Sequence, residues 1–450
     1  MNAVKKSQAI PKGYKQTEVG VIPEDWGTTT IAEIAAIKTG PFGTLLKASE
    51  YTKGEGVPLI SVGEVREGYL RITDETPRVC PLVTRRLPQY VLGEGDIVFG
   101  RKGGVDRSAL IRPEQQGWFL GSDGLAIRPR GKISRSFLGA QFQTARVKDW
   151  LLQNAIGTTM PSLNQGILGG VEICLPPTLA EQEAIAEALS DADALIDSLE
   201  QLIAKKRHLK QGAMQDLLTG KKRLPGFEGE WEVKRLGNLA KIQRGASPRP
   251  IDSPIWFDRN STIGWVRISD VTRSGMFLFE TTQKLSSLGV QNSRPVPRES
   301  LIMSICATVG RPIITKIDVC IHDGFVVFGD PKADQLFLYY VLRWIEDAWS
   351  EHGQTGSQMN LNTNLIKSTE IQLPNIDEQT AIATILSDMD AEIAALEAKL
   401  SKARQWAKSA PRHAKGRLDR KMLTRNFEQH CPLWIPRNSH TPTLSQPARP

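Results

Sequence analysis

The stretch Gly100-Arg-Lys-Gly-Gly104, followed by Asp106-Arg107, holds the residues best placed to do chemistry in this 450-residue chain. Two cations stand among glycines whose backbone N–H groups lack cover, a combination suited to a phosphate oxygen. The competing reading is a solvated turn. Arg101, Lys102 and Arg107, together with Lys47, Arg66 and Arg71, are the candidates for nucleic-acid contact in the first half of the chain. The second half offers Arg244, Arg249, Arg267, Arg273 and Arg294, dispersed cations of which any single one is more commonly a surface charge than a base reader.

Motifs for catalysis are missing. No GxxxxGK[ST] phosphate loop occurs, because Gly131-Lys132 runs into Ile133 and Gly220-Lys221 into Lys222. His208, His322, His352, His413, His430 and His440 form no HExxH pair, and no serine sits in a GxSxG elbow. A glycine fingerprint for a dinucleotide is also absent. Leu175-Pro-Pro-Thr178 lacks the leading Asp or Asn and the closing aromatic of an amino-methyltransferase loop, and reads as the approach to a helix. Asp191-Ala-Asp193 and Asp388-Met-Asp390 put two carboxylates two residues apart, which do not share a helix face, so a solvent- or partner-facing flank outweighs a metal site. His322-Asp323 reads as a turn completed by Gly324. The expectation is a chain with no catalytic residue, no metal site and no cofactor of its own.

The elements that carry these residues come in two copies. Ile22-Pro-Glu-Asp-Trp26 with Ile31, Ile34, Ile37 and Gly40 matches Phe227-Glu-Gly-Glu-Trp231 with Leu236, Leu239, Ile242 and Gly245, at a constant offset of 205. Asp96–Gly100 echoes Ser300–Ser304, Asp123-Gly124 echoes Asp323-Gly324, and Glu172-Ile-Cys-Leu-Pro176 echoes Glu370-Ile-Gln-Leu-Pro374. The counterpart of the glycine loop, Ser304-Ile-Cys-Ala-Thr-Val-Gly310-Arg311, is far less basic, so the copies differ where contacts would be made. Trp26 and Trp231 occupy matching positions that suit core packing.

Thr178-Leu-Ala-Glu181 and Asn375-Ile-Asp-Glu378 have capping-box spacing, each after prolines that keep the chain extended. Behind them run apolar seams at heptad spacing: Ile185, Leu189, Ala192, Ile196, Leu199, Ile203, and, shifted by 197, Ile382, Leu386, Met389, Ile393, Leu396, Leu400. The first helix is expected over 179–218, stopped by Thr219-Gly220. The two seams are expected to pair antiparallel as copies related by a pseudo-twofold axis. Pro411, which stands where the first copy has Met214, predicts that the second helix stops about two turns early. Between the helices, residues 57–131 and 255–330 mix short β-type runs with Gly/Pro turns, then pass to helical stretches near 136–153 and 334–349.

Net charge is +8, but residues 405–450 carry +7 of it, leaving +1 for the rest. The body therefore has no bulk electrostatic pull on nucleic acid, and any DNA surface must come from local patterning or a partner. No apolar run approaches a membrane span, the N-terminus lacks a signal-peptide core, and five scattered cysteines (80, 174, 306, 320, 431) suit a reducing cytoplasm.

Ordered around the duplication, Ile22-Pro-Glu-Asp-Trp26 and Gly226-Phe-Glu-Gly-Glu-Trp231, Glu181-Gln182 and Glu378-Gln379, and Leu209–Lys221 with Arg223-Leu-Pro-Gly-Phe227 resemble the specificity subunit of a type I restriction–modification enzyme over roughly residues 14–404. The resemblance implies an α+β chain: two mixed α/β target-recognition domains in pseudo-twofold repeat (14–176 and 224–374), separated by two long antiparallel coiled-coil helices (178–218 and 375–410). Residues 411–450 are a divergent basic tail with two readings, a disordered segment or an altered version of the ancestral end, and its charge would attract DNA or RNA non-specifically. It implies double-stranded DNA as ligand, two methyltransferase subunits as partners, and motor/nuclease restriction subunits beyond them. S-adenosylmethionine, ATP and Mg are expected on those partners. Glu181, Gln182, Asp191, Asp193, Glu378, Gln379, Asp388 and Asp390 are then the candidates for subunit docking. The competing classes are a coiled-coil interaction scaffold that reads no DNA and a stand-alone methyltransferase or nuclease.

Overall fold

The computed structural model describes residues 10–351 and 361–413, so the expectation for the tail falls, from residue 414 on, outside the described residues. The chain folds as two compact units, one formed by residues up to Leu199 with those from Lys399 onward, the other by Glu200–Ala398.

The first unit holds β1 (Gly27–Thr30), β2 (Ala35–Thr39), β3 (Ile97–Gly100), β4 (Ser108–Leu110), β5 (Gly124–Pro129), helix α1 (Arg135–Gln143) and β6 (Glu172–Leu175). The central sheet has the order β2-β5-β3-β4 and is antiparallel throughout. Its strands are apolar runs because both faces are covered. Ile97, Phe99, Leu125 and Ile127 point into one core with Leu138 and Phe142 of α1. Val98 and Ala126, between them in sequence, point into another with Leu59, Ile60, Phe119 and Leu120. Each such large side chain contributes about 1.5–3 kcal/mol by leaving water. A small second sheet closes the latter core, with Phe119–Leu120 parallel to Val57–Ile60. β1 pairs with β6 and brings the chain to the long helix α2 (Leu179–Leu218).

The second unit repeats this plan. It holds β7 (Glu232–Arg235), β8 (Lys241–Arg244), β9 (Leu301–Ser304), β10 (Pro312–Thr315), β11 (Phe325–Gly329), α3 (Gln335–Trp344), β12 (Glu370–Leu373) and the part of α4 (Ile376–His413) up to Ala398. The sheet order β8-β11-β9-β10 reproduces β2-β5-β3-β4, with Phe277–Leu278 added parallel to β10. The alternation also recurs: Leu301, Met303, Val326 and Phe328 face one core, Ile302, Phe325 and Val327 the other. β7 pairs with β12 as β1 does with β6.

The two helices run antiparallel where each unit contains a piece of both. In the second unit Lys206 pairs with Glu392 at 2.6 Å and Lys210 with Asp390 at 2.5 Å, numbers rising on α2 as they fall on α4. In the first unit Ala192 and Ala403, both fully buried, pack with Leu195, Ile196, Trp406 and Ala407. The seam does more than join helices. Ile185 and Leu189 pack on Val19, Ile22, Trp26 and Phe137, so they seat α2 on its own globular part rather than pairing it. Ile382, Leu386 and Met389 sit in the second unit's core together with Leu217 and Leu218 of α2. Leu199 and Leu400 are buried in the first unit, and Ile203, Ile393 and Leu396 in the second.

Pro411 does not stop α4, which runs to His413.

Candidate nucleic-acid interface

In each unit candidate cations stand at the same end of the sheet but on different strands: Arg101 and Lys102 follow β3 in the first unit, and Arg244 ends β8 in the second. The edge is shaped by matching glycines. A Cβ on Gly40 would lie 1.8 Å from the Gly121 carbonyl oxygen, and one on Gly245 would lie 2.1 Å from that of His322. The turn bonds agree, Gly124 N–H to Gly121 O and Phe325 N–H to His322 O, both at 3.0 Å. Strand register thus corrects the sequence echo by one residue. Gly124 pairs with Gly100 but Phe325 with Ser304, which puts Asp323 in the place of Ser122.

In the first unit, the Arg101 guanidinium stacks over the exposed Phe42 ring at 5.7 Å, and the Lys102 ammonium lies 3.8 Å from Asp123. The backbone amides are not an open cradle, contrary to expectation. Arg101 N–H donates to Asp123 O at 2.7 Å, Gly103 N–H to Pro161 O at 2.9 Å, and those of Val105 and Arg107 close on Gly103 and Gly104. The loop folds onto itself and onto residues 161–163, leaving its side chains as the contact groups. Arg107 is exposed beside it. Arg66 flanks a turn whose Gly68 N–H donates to Ser108 O at 2.9 Å; it is half-buried, with Nη1 on the Val65 carbonyl. Arg71 and Lys47 are exposed.

The second unit arranges its arginines around Asp323. Arg244 Nε donates to the Asp323 carbonyl at 2.6 Å, and Arg294 Nε donates to the Arg244 carbonyl at 2.5 Å. The Asp323 carboxylate accepts from Ser247 Oγ at 2.7 Å and from Arg249 at 3.4 Å; the Ser247 bond first, with the Arg249 charge beside it, holds it below the usual carboxylate range. His322 lies mostly buried against Trp265 and Phe325, and its Nδ1 accepts the Gly324 N–H at 2.9 Å. Burial, with help from the half-buried Arg267, pushes its imidazole toward the neutral form. Arg273 is exposed but engaged: it neutralises the buried Asp270 at 2.7 Å and also holds Thr282.

The docking candidates need a larger correction. Gln182 is buried; its Oε1 accepts from Ser134 N–H at 2.9 Å and its Nε2 donates to Pro176 O at 3.1 Å. Gln379 does the same with Asp334 N–H at 2.8 Å and Pro374 O at 2.7 Å. Ser134 and Asp334 are the N-caps of α1 and α3, so each glutamine clips the start of a long helix to the start of a domain helix. Glu378, fully buried, takes a bidentate fork from Arg223 at 2.7 and 2.8 Å and the Trp231 Nε1–H at 3.2 Å. Glu181 is half-buried and accepts from Trp26 Nε1–H at 3.1 Å. Thr178 and Asn375 do cap the helix starts, but the glutamates turn to tryptophan instead of completing the box. Asp390 holds Lys210 and the Tyr340 hydroxyl. Gln182, Glu378 and Gln379 are internal fixtures, whereas Glu181 and Asp390 are half-buried. Asp193 and Asp388 remain exposed, and Asp191 is half-buried.

Phe42 and Ser247 were not anticipated; a single aromatic or serine near a glycine carries no sequence signal. Among the described residues no cluster of His, Cys, Asp or Glu could hold a metal, and no helix is long and apolar enough to cross a membrane.

A model of the type I restriction modification DNA specificity domain matches this chain twice, over residues 23–206 and 228–403. The chain belongs to that family. Among similar proteins, the type I restriction enzyme MjaVIII specificity subunit of Methanocaldococcus jannaschii is 24% identical over 412 residues, 84% of this chain and 89% of that protein. The Escherichia coli EcoKI specificity subunit is 24% identical over 250 residues, 52% of this chain and 53% of its own length. The crystal structure of the type I restriction–modification S subunit from M. genitalium shares the fold, with TM-score 0.56 at 14% identity, covering 88% of this chain and 97% of that one. In this specificity chain the two matched copies coincide with the repeated sheet plan, and their cation-bearing edges are the DNA-facing candidates.

Proposed function

We propose that this chain reads a split, asymmetric target on double-stranded DNA, one half-site per globular unit, and holds two methyltransferase subunits on its long helices. The observation that carries the reading is the pair of strand-end edges, alike in backbone and unlike in side chains. A common frame with Arg101, Lys102 and Phe42 in one copy and Arg244, Arg249 and Arg294 in the other fits two different half-sites. Two readers on one duplex must stand about a helical turn, ~34 Å, or more apart, and a helix of α2's length is roughly 60 Å long.

In this reading the chain is a non-catalytic cytoplasmic adaptor. The methyltransferase partners carry S-adenosylmethionine, and motor/nuclease subunits carry ATP and Mg. Asp193 and Asp388 are the most exposed of the acidic docking candidates on the helices, with Asp191, Glu181 and Asp390 half-buried beside them. The near-neutral body gives the lone chain modest affinity that rises when partners close around the duplex. The test is selection from random DNA with and without the companion methyltransferase. Enrichment of one bipartite, non-palindromic sequence supports the reading; a contiguous site, a perfect palindrome or no enrichment contradicts it.

A further inference from the structure

Arg244 differs from the other exposed cations in how it is held. It ends β8, and its Nε–H is fixed on the Asp323 carbonyl at 2.6 Å. Its own carbonyl is fixed in turn by Arg294 Nε at 2.5 Å, while Arg294 Nη1 reaches Gln243 Oε1 at 3.3 Å. An arginine anchored through Nε keeps both Nη groups for an outside ligand, and among the described residues no hydrogen bond or ion pair is made by Arg244 Nη1 or Nη2. The result is an exposed, planar, two-donor fork set by the main chain of a turn that Gly245 and Ser247 lock from below.

We propose that Arg244 is a specificity-determining residue that reads a guanine in the half-site of the second unit, donating from Nη1 and Nη2 to O6 and N7 in the major groove. This inference rests on the proposed DNA-reading function. A paired acceptor on DNA is presented by a guanine edge or by a phosphate. A guanine has one orientation relative to the groove, and so rewards a fork whose plane is fixed in advance; a phosphate tolerates a mobile cation such as Lys47 or Lys102. The first unit has no equivalent. Thr39 stands at the matching strand end, where its hydroxyl accepts from Gln165 Nε2 at 3.0 Å, so this contact belongs to the second unit's half-site.

The full chain, assembled with its methyltransferase subunits, is tested on its selected target. Replacing one guanine of one half-site by 7-deazaguanine, which lacks N7, weakens wild-type binding roughly tenfold. Arg244→Ala loses discrimination at that same base pair by roughly tenfold to a hundredfold and becomes insensitive to the 7-deaza substitution. Binding to unrelated DNA keeps its salt dependence in Arg244→Lys. If Arg244→Ala instead weakens all sequences equally and lowers the salt slope by about one, the fork holds a phosphate and the proposal falls. It falls too if no 7-deazaguanine on the target affects the wild type, a result independent of how the variants fold. A wild-type complex with no defined target would sink the DNA-reading function as well.

Discussion

His322 shows how one residue couples the fold to pH. Its Nδ1 must be unprotonated to accept the Gly324 N–H, and burial lowers its pKa from the ordinary 6.5. The unfolded chain then binds the proton more readily than the folded one, so this stabilisation is present above pH 6.5 and is lost as pH falls through the depressed value. Denaturation of the chain should show stability declining below pH 6.5, with His322→Asn, whose amide oxygen can accept the same N–H, flattening that part of the profile. Equal slopes in both proteins would refute the assignment. A second residue stores strain at the same edge. Ala307 has φ +59° in the loop after β9, as Gly103 has φ +78° after β3. Ala307→Gly should stabilise the chain by roughly 0.5 kcal/mol, relieved strain of about 1 kcal/mol less the entropy cost of glycine; loss of stability in a denaturant titration would contradict this. The sequence revealed that this loop was the counterpart of a glycine loop. It did not reveal the left-handed slot, because alanine advertises no such conformation.

At the scale of elements, the glutamine clips decide how a long helix meets its domain. Replacing Gln379 by Leu leaves the Asp334 N–H and the Pro374 carbonyl without partners in a buried place, which should cost about 2–4 kcal/mol. Gln182→Leu should cost a similar amount through Ser134 and Pro176, and urea unfolding measures both. A change under about 1 kcal/mol would show that the clips are incidental. The Pro-then-Glu-Gln pattern was visible as a helix start, and the heptad seam as a buried stripe. Which surface covered each turn was not visible, because periodicity marks a buried face without naming its partner. Ile185 therefore looked like a helix-pairing residue while packing on Trp26 and Phe137. Glu378 looked like a capping residue because its spacing is right; Arg223 and Trp231, 155 and 147 residues away, take its carboxylate instead.

For the whole molecule, the duplication was the most legible feature, since a shared offset survives where individual matches are weak. The topology β2-β5-β3-β4 and its repeat β8-β11-β9-β10 bear it out strand by strand. The half-sites were not legible, because side chains at the strand ends diverged while the frame stayed. Removing residues 414–450, which carry most of the excess positive charge, should lower affinity for random DNA at low salt and reduce the salt slope without changing the selected sequence. An unchanged slope would exclude the tail from DNA contact. The central claim is that each unit reads its own half. Its most direct test is to map methylated sites for the assembled complex carrying Arg101→Ala with Lys102→Ala, beside the wild type. One half of a split target should relax while the other half and the spacing stay fixed. Relaxation of both halves together, or a target with no second half, would contradict it.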